Sequence, residues 1–201
     1  MVCLFNMNLE KTREEYIKSL PKSDRNIKII ENYLDLTHVF NYEQKKLIRA
    51  VVANSEITFI KKRRVGATTA IDAFLSVEAF MAESPITIMI MCPYMNMCEE
   101  HCRNLRDFLL QLPLSLNKFF IDDKIFKCCT HNKIYLKNGS KIIFVSKDNI
   151  SPLCGLAIDY AVFDECLFNE ESIMWVKAQN PKKIIKINTV MCDKDLKGKY
   201  D

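Results

Sequence analysis

A basic segment with one glycine and two adjacent threonines has the residue types of a phosphate-binding loop. It follows a short apolar run and precedes a stretch with helical periodicity. A strand, a glycine-containing loop and a helix N-terminus in this order direct backbone N–H groups and the positive end of the helix dipole toward an anion. The Thr68 hydroxyl stands where such a loop ligates Mg²⁺. The predicted phosphate-binding residues are Lys61, Lys62, Arg63, Arg64, Val65, Gly66, Ala67, Thr68 and Thr69.

This loop departs from the usual pattern G-x-x-x-x-G-K-[ST]. It lacks the first glycine, and Ala67 occupies the lysine position. The alternative interpretation is a basic strand end followed by an ordinary helix, in which the four cationic side chains are simply solvated.

An acidic pair farther along the chain could supply the remaining chemistry of such a site. Asp164 and Glu165 follow the mostly apolar run 157–163. One carboxylate would hold Mg²⁺ through its hydration shell, and the next would polarise the attacking water. An apolar run that ends in an acidic pair is common by itself. Its position downstream of a phosphate-loop candidate, with α/β elements between them, makes the assignment more specific.

The elements that must position these residues alternate between two periods. Helical patterns cover 10–36 (in two pieces separated by Pro21), 42–53, 67–82 and 96–112. Apolar runs typical of strands cover 57–60, 86–92, 125–130, 133–136, 141–145, 158–163 and 183–189. Alternating strands and helices predict an α/β fold with a largely parallel sheet. Asn138–Gly139 between two apolar runs predicts an antiparallel hairpin within it.

Composition places few further limits. The chain has 201 residues, a length that fits one α/β domain, and its net charge of +4 permits contact with nucleic acid without arguing for it. Its nine cysteines are scattered, no secretory signal is evident, and the longest apolar run is too short to span a bilayer. We therefore expect an intracellular protein with reduced thiols, neither secreted nor membrane-bound.

Taken together, the order and spacing of these motifs resemble the ATPase domain of the large terminase subunit, the motor that packages DNA in tailed phages and herpesviruses. Phosphate loops of that family often carry basic residues ahead of x-G-x-[ST]. The residues that carry the resemblance are Tyr42-Glu43-Gln44, Lys61, Arg63–Thr69, Asn138-Gly139-Ser140, Gly155, Val162–Cys166 and Ile187-Asn188-Thr189. They extend from about Tyr42 to Val190.

The resemblance implies a P-loop NTPase fold of the RecA/ASCE type, with ATP and Mg²⁺ as cofactors. Gln44 would read adenine, and Thr68 with Asp164 would hold the metal. Some members of the family carry the phosphate-binding lysine at the front of the loop, near the position of Lys61. Because Ala67 replaces the usual lysine, catalysis would depend on Lys61 or on the neighbouring Lys62, and we take Lys61 as the key lysine.

The same resemblance implies catalytic and coupling roles. Glu165 would activate water, and either Arg63 or Arg64 would stabilise charge on the transferring phosphoryl group. Asn188 and Thr189 would couple hydrolysis to movement. Where family members commonly carry Arg-Gly, this chain has Cys154-Gly155, so one potential arginine is missing.

Partners and domain organisation are implied in the same way. They comprise double-stranded DNA, a portal protein, a small terminase subunit and further copies of the chain in a ring, at the assembling procapsid in host cytoplasm or nucleus. We expect an N-terminal helical segment over 1–40 and an ATPase core over 41–201. That core would be incomplete at its C-terminus and would lack the nuclease domain, which a separate chain could supply.

Two other functions remain open on the sequence. Asp164-Glu165-Cys166 resembles the acidic box of helicase-like nucleic-acid translocases, and Ala67 is compatible with a degenerate, non-hydrolysing ATPase fold that serves in assembly or regulation.

Several other residue groups have a structural and a functional interpretation. Packing is favoured over zinc binding for Cys98, His101 and Cys102 and for Cys128, Cys129 and His131, and over nucleophilic chemistry for Cys166. Core packing is also favoured over base stacking for Phe119, Phe120, Phe126 and Phe144. Trp175 is expected to anchor a helix. A solvated strand start explains Lys182, Lys183 and Lys186 as well as contact with DNA does.

Overall fold

The computed structural model describes residues 12–34, 40–62, 64–118, 120, 124–130, 132–148, 153, 155–166 and 170–189. Its helices are α1 (12–19), α2 (Lys22–Ile29, continued by a π-helical turn Ile30–Leu34), α3 (Tyr42–Ala53), α4 (Ala67–Phe80), α5 (Met95–Gln111) and α6 (Glu170–Ala178). A short 3₁₀ turn spans Leu114–Leu116. The strands are β1 (Glu56–Lys61), β2 (Thr87–Cys92), β3 (Phe126–Thr130), β4 (Lys133–Leu136), β5 (Lys141–Ser146), β6 (Tyr160–Asp164) and β7 (Lys183–Thr189).

The strands form one sheet of seven, in the order β1-β7-β6-β2-β5-β4-β3. The neighbouring pairs β1–β7, β7–β6, β6–β2 and β2–β5 are parallel, whereas β5–β4 and β4–β3 are antiparallel. The predicted α/β class, with its mainly parallel sheet and one antiparallel insertion, is confirmed. Because β7 lies between β1 and β6, the carboxyl ends of these three strands meet at one edge of the sheet, where open α/β sheets bind ligands.

Asn138 and Gly139 form the predicted hairpin turn between β4 and β5. Gly139 has φ +87°, and a Cβ atom there would lie 2.8 Å from Pro85 Cγ, so both conformation and space require glycine. The Asn138 amide donates to the carbonyl of Ala79 at 2.9 Å, which ties the turn to the end of α4.

Helices cover both faces of the sheet. On β2, Ile88, Ile90 and Cys92 belong to the core shared with α4 and α5. Met89 and Met91 belong to a second buried cluster, which also contains residues of α6. This alternation follows from the two-residue period of a strand. A strand buried on both faces reads as a continuous apolar run, which is why β2 was predictable.

Helix α4 is enclosed rather than amphipathic. Its periodicity predicts one apolar face, yet Asp72 and Ser76 are fully buried and Glu78 is only 7% exposed. The sheet covers one side of the helix, and α5 with the N-terminal helices covers the rest. The side chains of Asp72, Ser76 and Glu78 therefore contact other parts of the same chain instead of solvent.

The N-terminal helices pack onto the same core. Ile17 of α1, Ile29 of α2 and Leu34 of the π-helical turn are fully buried within the cluster that contains α4. The division into a segment 1–40 and a core 41–201 stays a prediction.

The expectation that Trp175 anchors its helix is wrong. Ile173 and Val176, three residues apart on α6, are buried against the sheet, whereas Trp175 is 37% exposed and Met174 is 70% exposed. Positions three apart share a helix face, and Trp175 does not lie on the face that packs.

Candidate active site

The predicted phosphate loop connects β1 to α4 and contains two left-handed residues. Arg64 has φ +68° and Gly66 has φ +74°. Gly66 is the N-cap of α4, and its carbonyl accepts from the N–H of Ala70 at 3.1 Å. The free N–H groups at a helix start favour an anion, as do concave backbone turns of this kind. Arg63 lies outside the described residues.

Gln44 holds this loop from α3. Its side chain and that of Asn41 form a reciprocal capping box at the start of α3. The Gln44 amide also donates to the carbonyl of Gly66 at 3.0 Å, and the Asn41 amide donates to the carbonyl of Val65 at 3.4 Å. Gln44 is 8% exposed. The predicted contact between Gln44 and adenine stays a prediction.

Lys61, at the end of β1, lies in the site. Its Nζ is 3.5 Å from Thr68 Oγ1 and 3.6 Å from Glu165 Oε1, and its side chain is 11% exposed. Lys62 is exposed, and Ala67, at the usual lysine position, is fully buried. Of the two lysines considered, only Lys61 contacts the acidic residues of the site.

Thr68 and Asp164 lie together although 96 residues separate them. The Thr68 hydroxyl donates to Asp164 Oδ2 at 2.7 Å. Asp164 is 1% exposed, and its Oδ1 is buried without a hydrogen-bond partner among the described residues. A buried carboxylate oxygen without a partner costs free energy unless a cation approaches it.

The donor set of Thr68 and Asp164 therefore fits Mg²⁺. Hard oxygen ligands suit this ion, which keeps several waters and takes one or two carboxylates plus substrate phosphates. Within the described part of the chain, no three His, Cys, Asp or Glu side chains form a group that could hold a metal ion. A site completed by water and phosphate does not need such a group.

Glu165 is turned toward β7 by an unusual backbone conformation. Its φ is +58°, and its N–H donates to the carbonyl of Ile187 at 2.8 Å. Its carboxylate accepts from the Thr189 N–H at 2.8 Å and from the Thr189 hydroxyl. Left-handed non-glycine residues cost about 1–3 kcal/mol and cluster at functional sites. Through these two hydrogen bonds, Thr189, a predicted coupling residue, contacts Glu165, the residue predicted to activate water. Thr189 also lies directly opposite Lys61 in the β1–β7 register. Asn188 lies opposite Ile60.

The structure contains a buried polar network behind Asp164 that was not predicted from the sequence. His101 of α5 places Nδ1 2.5 Å from Asp72 Oδ1 and Nε2 3.1 Å from Asp164 Oδ2. The Asn104 amide donates to the other oxygen of Asp72 at 3.0 Å. An acidic residue inside the apolar α4 segment was the available signal, but nothing in the sequence pairs it with His101.

The protonation equilibria of this network follow from burial and charge. Burial by itself would lower the pKa of His101, but the carboxylates of Asp72 and Asp164 raise that pKa to about 10. Burial opposes ionisation of Asp164, yet the hydrogen bond and charge of His101 bring its pKa below the usual value. Burial raises the pKa of Asp72. A protonated His101 between two carboxylates satisfies both ring nitrogens as donors.

The thiols considered for zinc make other contacts. Cys98 Sγ donates to the carbonyl of Val145 at 3.3 Å, and Cys102 Sγ donates to the carbonyl of Thr130 at 3.4 Å. Cys128 and Cys129 are exposed, and His131 lies outside the described residues. Cys166 is buried, and burial raises its pKa to about 12. Its thiol is therefore not the thiolate that nucleophilic chemistry needs, and it acts in packing.

The aromatic residues agree with the core interpretation where the structure describes them. Phe120 and Phe144 are buried, and Phe126 is half-buried. Phe119 lies outside the described residues.

The three lysines near the start of β7 contact their own chain. Lys182 pairs with Asp159 and Lys186 with Glu56, while the Lys183 Nζ donates to backbone carbonyls at the end of α3.

Comparison with known proteins gives structural matches alone. No protein-family model matches the chain, and no curated protein matches its sequence. The crystal structure of the large terminase of bacteriophage HK97 superimposes with a TM-score of 0.63 at 15% identity, over 85% of this chain and 38% of that chain. The chain shares its fold with part of that large terminase.

The large terminase of a thermophilic bacteriophage has the same fold. It matches with a TM-score of 0.52 at 15% identity, over 75% of this chain and 39% of that chain. A form of that terminase in complex with ADP matches with a TM-score of 0.50 at 14% identity, over 75% of this chain and 38% of that chain. The chain thus spans less than two fifths of the length of these large terminases, and at such identities the likeness concerns the terminase fold alone.

Proposed function

We propose that this chain is the ATPase motor domain of a terminase large subunit, which hydrolyses ATP to drive double-stranded viral DNA into a procapsid. One observation carries the proposal. Lys61, Thr68, Asp164 and Glu165 converge at the carboxyl ends of β1 and β6, with Thr189 of the intervening β7. The terminase fold and the ADP complex of the thermophilic phage's large terminase support it.

In this proposal the loop binds the triphosphate of ATP. Backbone N–H groups at the start of α4 contact phosphate oxygens, and Lys61 supplies the cation that Ala67 cannot. Thr68 and Asp164 hold Mg²⁺, which when bound neutralises negative charge on the phosphates. Gln44, which also holds the loop from α3, reads adenine. Lys62, Val65 and Thr69 complete the loop.

Hydrolysis is assigned to Glu165. Its carboxylate, oriented by Thr189, polarises the attacking water and accepts its proton. Arg63 or Arg64 stabilises charge on the transferring phosphoryl group. Because Thr189 and Asn188 end β7, a change in the Glu165–Thr189 contact during turnover would move that strand end, which is the proposed route from hydrolysis to movement.

The partners follow from the packaging role. They are double-stranded DNA, a portal protein, a small terminase subunit and further copies of the chain in a ring on the portal. The place of action is the assembling procapsid inside the host cell. No helix among the described residues is long and apolar enough to cross a membrane.

The deciding experiment compares ATP turnover by the wild-type chain, Glu165→Gln and Glu170→Gln. Glu170 is exposed at the start of α6, so it is a matched control. We expect Glu165→Gln to lower the turnover number by about 10²-fold or more while MgATP still binds. Glu170→Gln should behave as the wild type. A Glu165→Gln protein with wild-type turnover would contradict the assignment.

A non-hydrolysing role is the second candidate, because the buried Ala67 removes the usual phosphate lysine. ATP binding without turnover in the wild-type chain would favour that role. DNA-stimulated turnover accompanied by strand separation would instead favour a helicase-like translocase.

A further inference from the structure

Two members of the buried polar network between α4, α5 and β6, Asp72 and His101, have no part in the chemistry proposed above; the third, Asp164, is the proposed metal ligand. Asp72 is fully buried, and His101 and Asp164 are each 1% exposed. Burying three ionisable side chains is costly unless each is hydrogen-bonded, and apolar residues of similar size would often stabilise a protein at least as well. The network therefore needs an explanation other than stability.

The contacts of Asp164 suggest what the network does. Its Oδ2 accepts two hydrogen bonds, from Thr68 Oγ1 at 2.7 Å and from His101 Nε2 at 3.1 Å, and its Oδ1 has no partner within the described structure. Two donors on one oxygen fix the rotation of the carboxylate. The Thr68 hydroxyl donates its proton to Oδ2 and accepts from Lys61 Nζ at 3.5 Å. Its second lone pair and Asp164 Oδ1 are then available to a cation.

We propose that His101 is a positioning residue that orients Asp164 toward Mg²⁺, with Asp72 holding the imidazole ring. This inference rests on the proposed function, because it assigns the metal to the same site. Metal sites commonly contain carboxylates that orient an imidazole, and loss of such outer partners weakens metal binding by about 10–100-fold. Here the roles are reversed, because the His101 imidazole does not touch the metal and instead orients the Asp164 carboxylate that does.

The topology explains why the network can set the geometry of the site. Asp72 follows Thr68 by one helical turn, so both lie on the same face of α4. His101 reaches from α5 to contact Asp72 on that helix and Asp164 on β6. It thereby holds the start of α4 against the end of β6, where Thr68 and Asp164 meet.

The test measures binding of Mn²⁺, a spectroscopic substitute for Mg²⁺, by electron paramagnetic resonance on the full chain with a non-hydrolysable ATP analogue. Analogue binding in EDTA is measured in parallel. The variants are His101→Gln, Asp72→Asn and the control Ser76→Ala. Ser76 is buried on α4 and donates to backbone carbonyls of α4 and α5, without a bond to the network side chains.

We expect His101→Gln to weaken Mn²⁺ binding by about tenfold or more, with unchanged analogue affinity in EDTA. Asp72→Asn should have a smaller effect in the same direction, and Ser76→Ala should leave Mn²⁺ affinity unchanged even if it lowers the melting temperature. A purely structural role would alter melting temperatures without selective loss of the metal.

Two outcomes separate this inference from the proposed function. A folded His101→Gln protein with wild-type Mn²⁺ affinity would overturn the positioning role while the proposed function stands. A wild-type chain that binds neither analogue nor Mn²⁺ would overturn the proposed function and the inference together. Should His101→Gln fail to fold, Asp72→Asn, which keeps the size of the side chain, decides the question in the same assay.

Discussion

At the scale of single residues, the amino group of Lys61 lies between a hydroxyl and a carboxylate of the candidate site. Its side chain is 11% exposed, whereas Lys62 points to solvent. Adjacent residues of an extended segment point in opposite directions. Two neighbouring lysines with the same chemistry therefore have different surroundings, and they form a matched pair for experiment.

We predict that Lys61→Ala lowers ATP affinity by at least about tenfold, or about 1.4 kcal/mol of binding free energy, because a charge-assisted contact with phosphate is lost. Lys62→Ala should bind ATP as the wild type does. Isothermal titration calorimetry with MgATP measures both. A larger loss of ATP affinity in Lys62→Ala than in Lys61→Ala would indicate that Lys62 is the lysine that binds phosphate.

At the scale of elements, the loop before α4 depends on a glycine with a close neighbour. Gly66 has φ +74°, and a Cβ atom there would lie 2.5 Å from Gln44 Nε2. Gly155 has a similar φ of +76° but no atom within 4 Å of an added Cβ. The two glycines share the conformational requirement and differ in crowding.

We predict that Gly155→Ala costs about 1–2 kcal/mol of unfolding free energy, the usual penalty for a left-handed non-glycine residue. Gly66→Ala should cost more, because it also displaces the Gln44 amide from the Gly66 carbonyl, and it should weaken ATP binding. Urea denaturation and nucleotide titration of both variants give the comparison. Equal losses of stability and unchanged ATP binding would show that Gln44 does not hold the loop.

The edge strand β1 is tied to its neighbours by one carboxylate. Glu56 lies 2.5 Å from Lys186 Nζ of β7 and 2.9 Å from Lys177 Nζ of α6. Hydrogen bonds from Lys186 and then Lys177 hold the pKa of Glu56 below its ordinary value of 4.5. A carboxylate whose pKa is lower in the folded state than in the unfolded state stabilises the fold at pH values above the unfolded-state pKa. This contribution is lost as the pH falls through the folded-state pKa.

We therefore predict that Glu56→Gln lowers the free energy of unfolding at pH 7 by a few tenths of a kcal/mol, since Glu56 is 42% exposed and its ion pairs are screened. The difference from the wild type should shrink below the ordinary carboxylate pKa. Denaturation curves at pH 7 and pH 3.5 test this, with the exposed Glu100→Gln as control. A difference that grows on acidification would contradict the ion-pair account.

At the scale of the whole molecule, a buried carboxylate joins the N-terminal helices to the sheet. Glu78 of α4 accepts from the Asn26 amide of α2 at 2.7 Å and from the Tyr160 hydroxyl of β6 at 2.8 Å. Lys22 Nζ lies 3.2 Å from the same carboxylate. Together with the shared apolar core, these contacts favour unfolding of the described helices and sheet as one cooperative unit.

We predict that Glu78→Ala lowers the free energy of unfolding by about 2 kcal/mol, because it leaves the buried Asn26 and Tyr160 donors without an acceptor, and that Tyr160→Phe costs about 1 kcal/mol. Far-ultraviolet circular dichroism and the fluorescence of Trp175, the single tryptophan, should report one coincident transition. Separate transitions would instead favour an independent N-terminal segment over 1–40.

Much of the architecture was predictable because it depends on local periodicity. The helix Tyr42–Ala53 and the strand Lys183–Thr189 have the bounds that their apolar patterns predict. The Asn-Gly turn was predictable because few residues adopt its backbone angles. Thr68 and Asp164 were paired in advance through the order of motifs and the family resemblance, and their 2.7 Å contact agrees with that pairing.

The sequence by itself thus determined which segments are strands, which segments form most of the helices, and which hydroxyl and carboxylates are candidates for a phosphate site. Tertiary structure alone decided that Lys61 contacts Thr68 and Glu165, that Glu165 contacts Thr189, and that His101 joins Asp72 to Asp164. Each of these contacts spans different elements, and its existence depends on the strand order and on the packing of α4 against α5. Periodicity records which face of an element is apolar, but it carries no information about which polar residue of another element that face will meet.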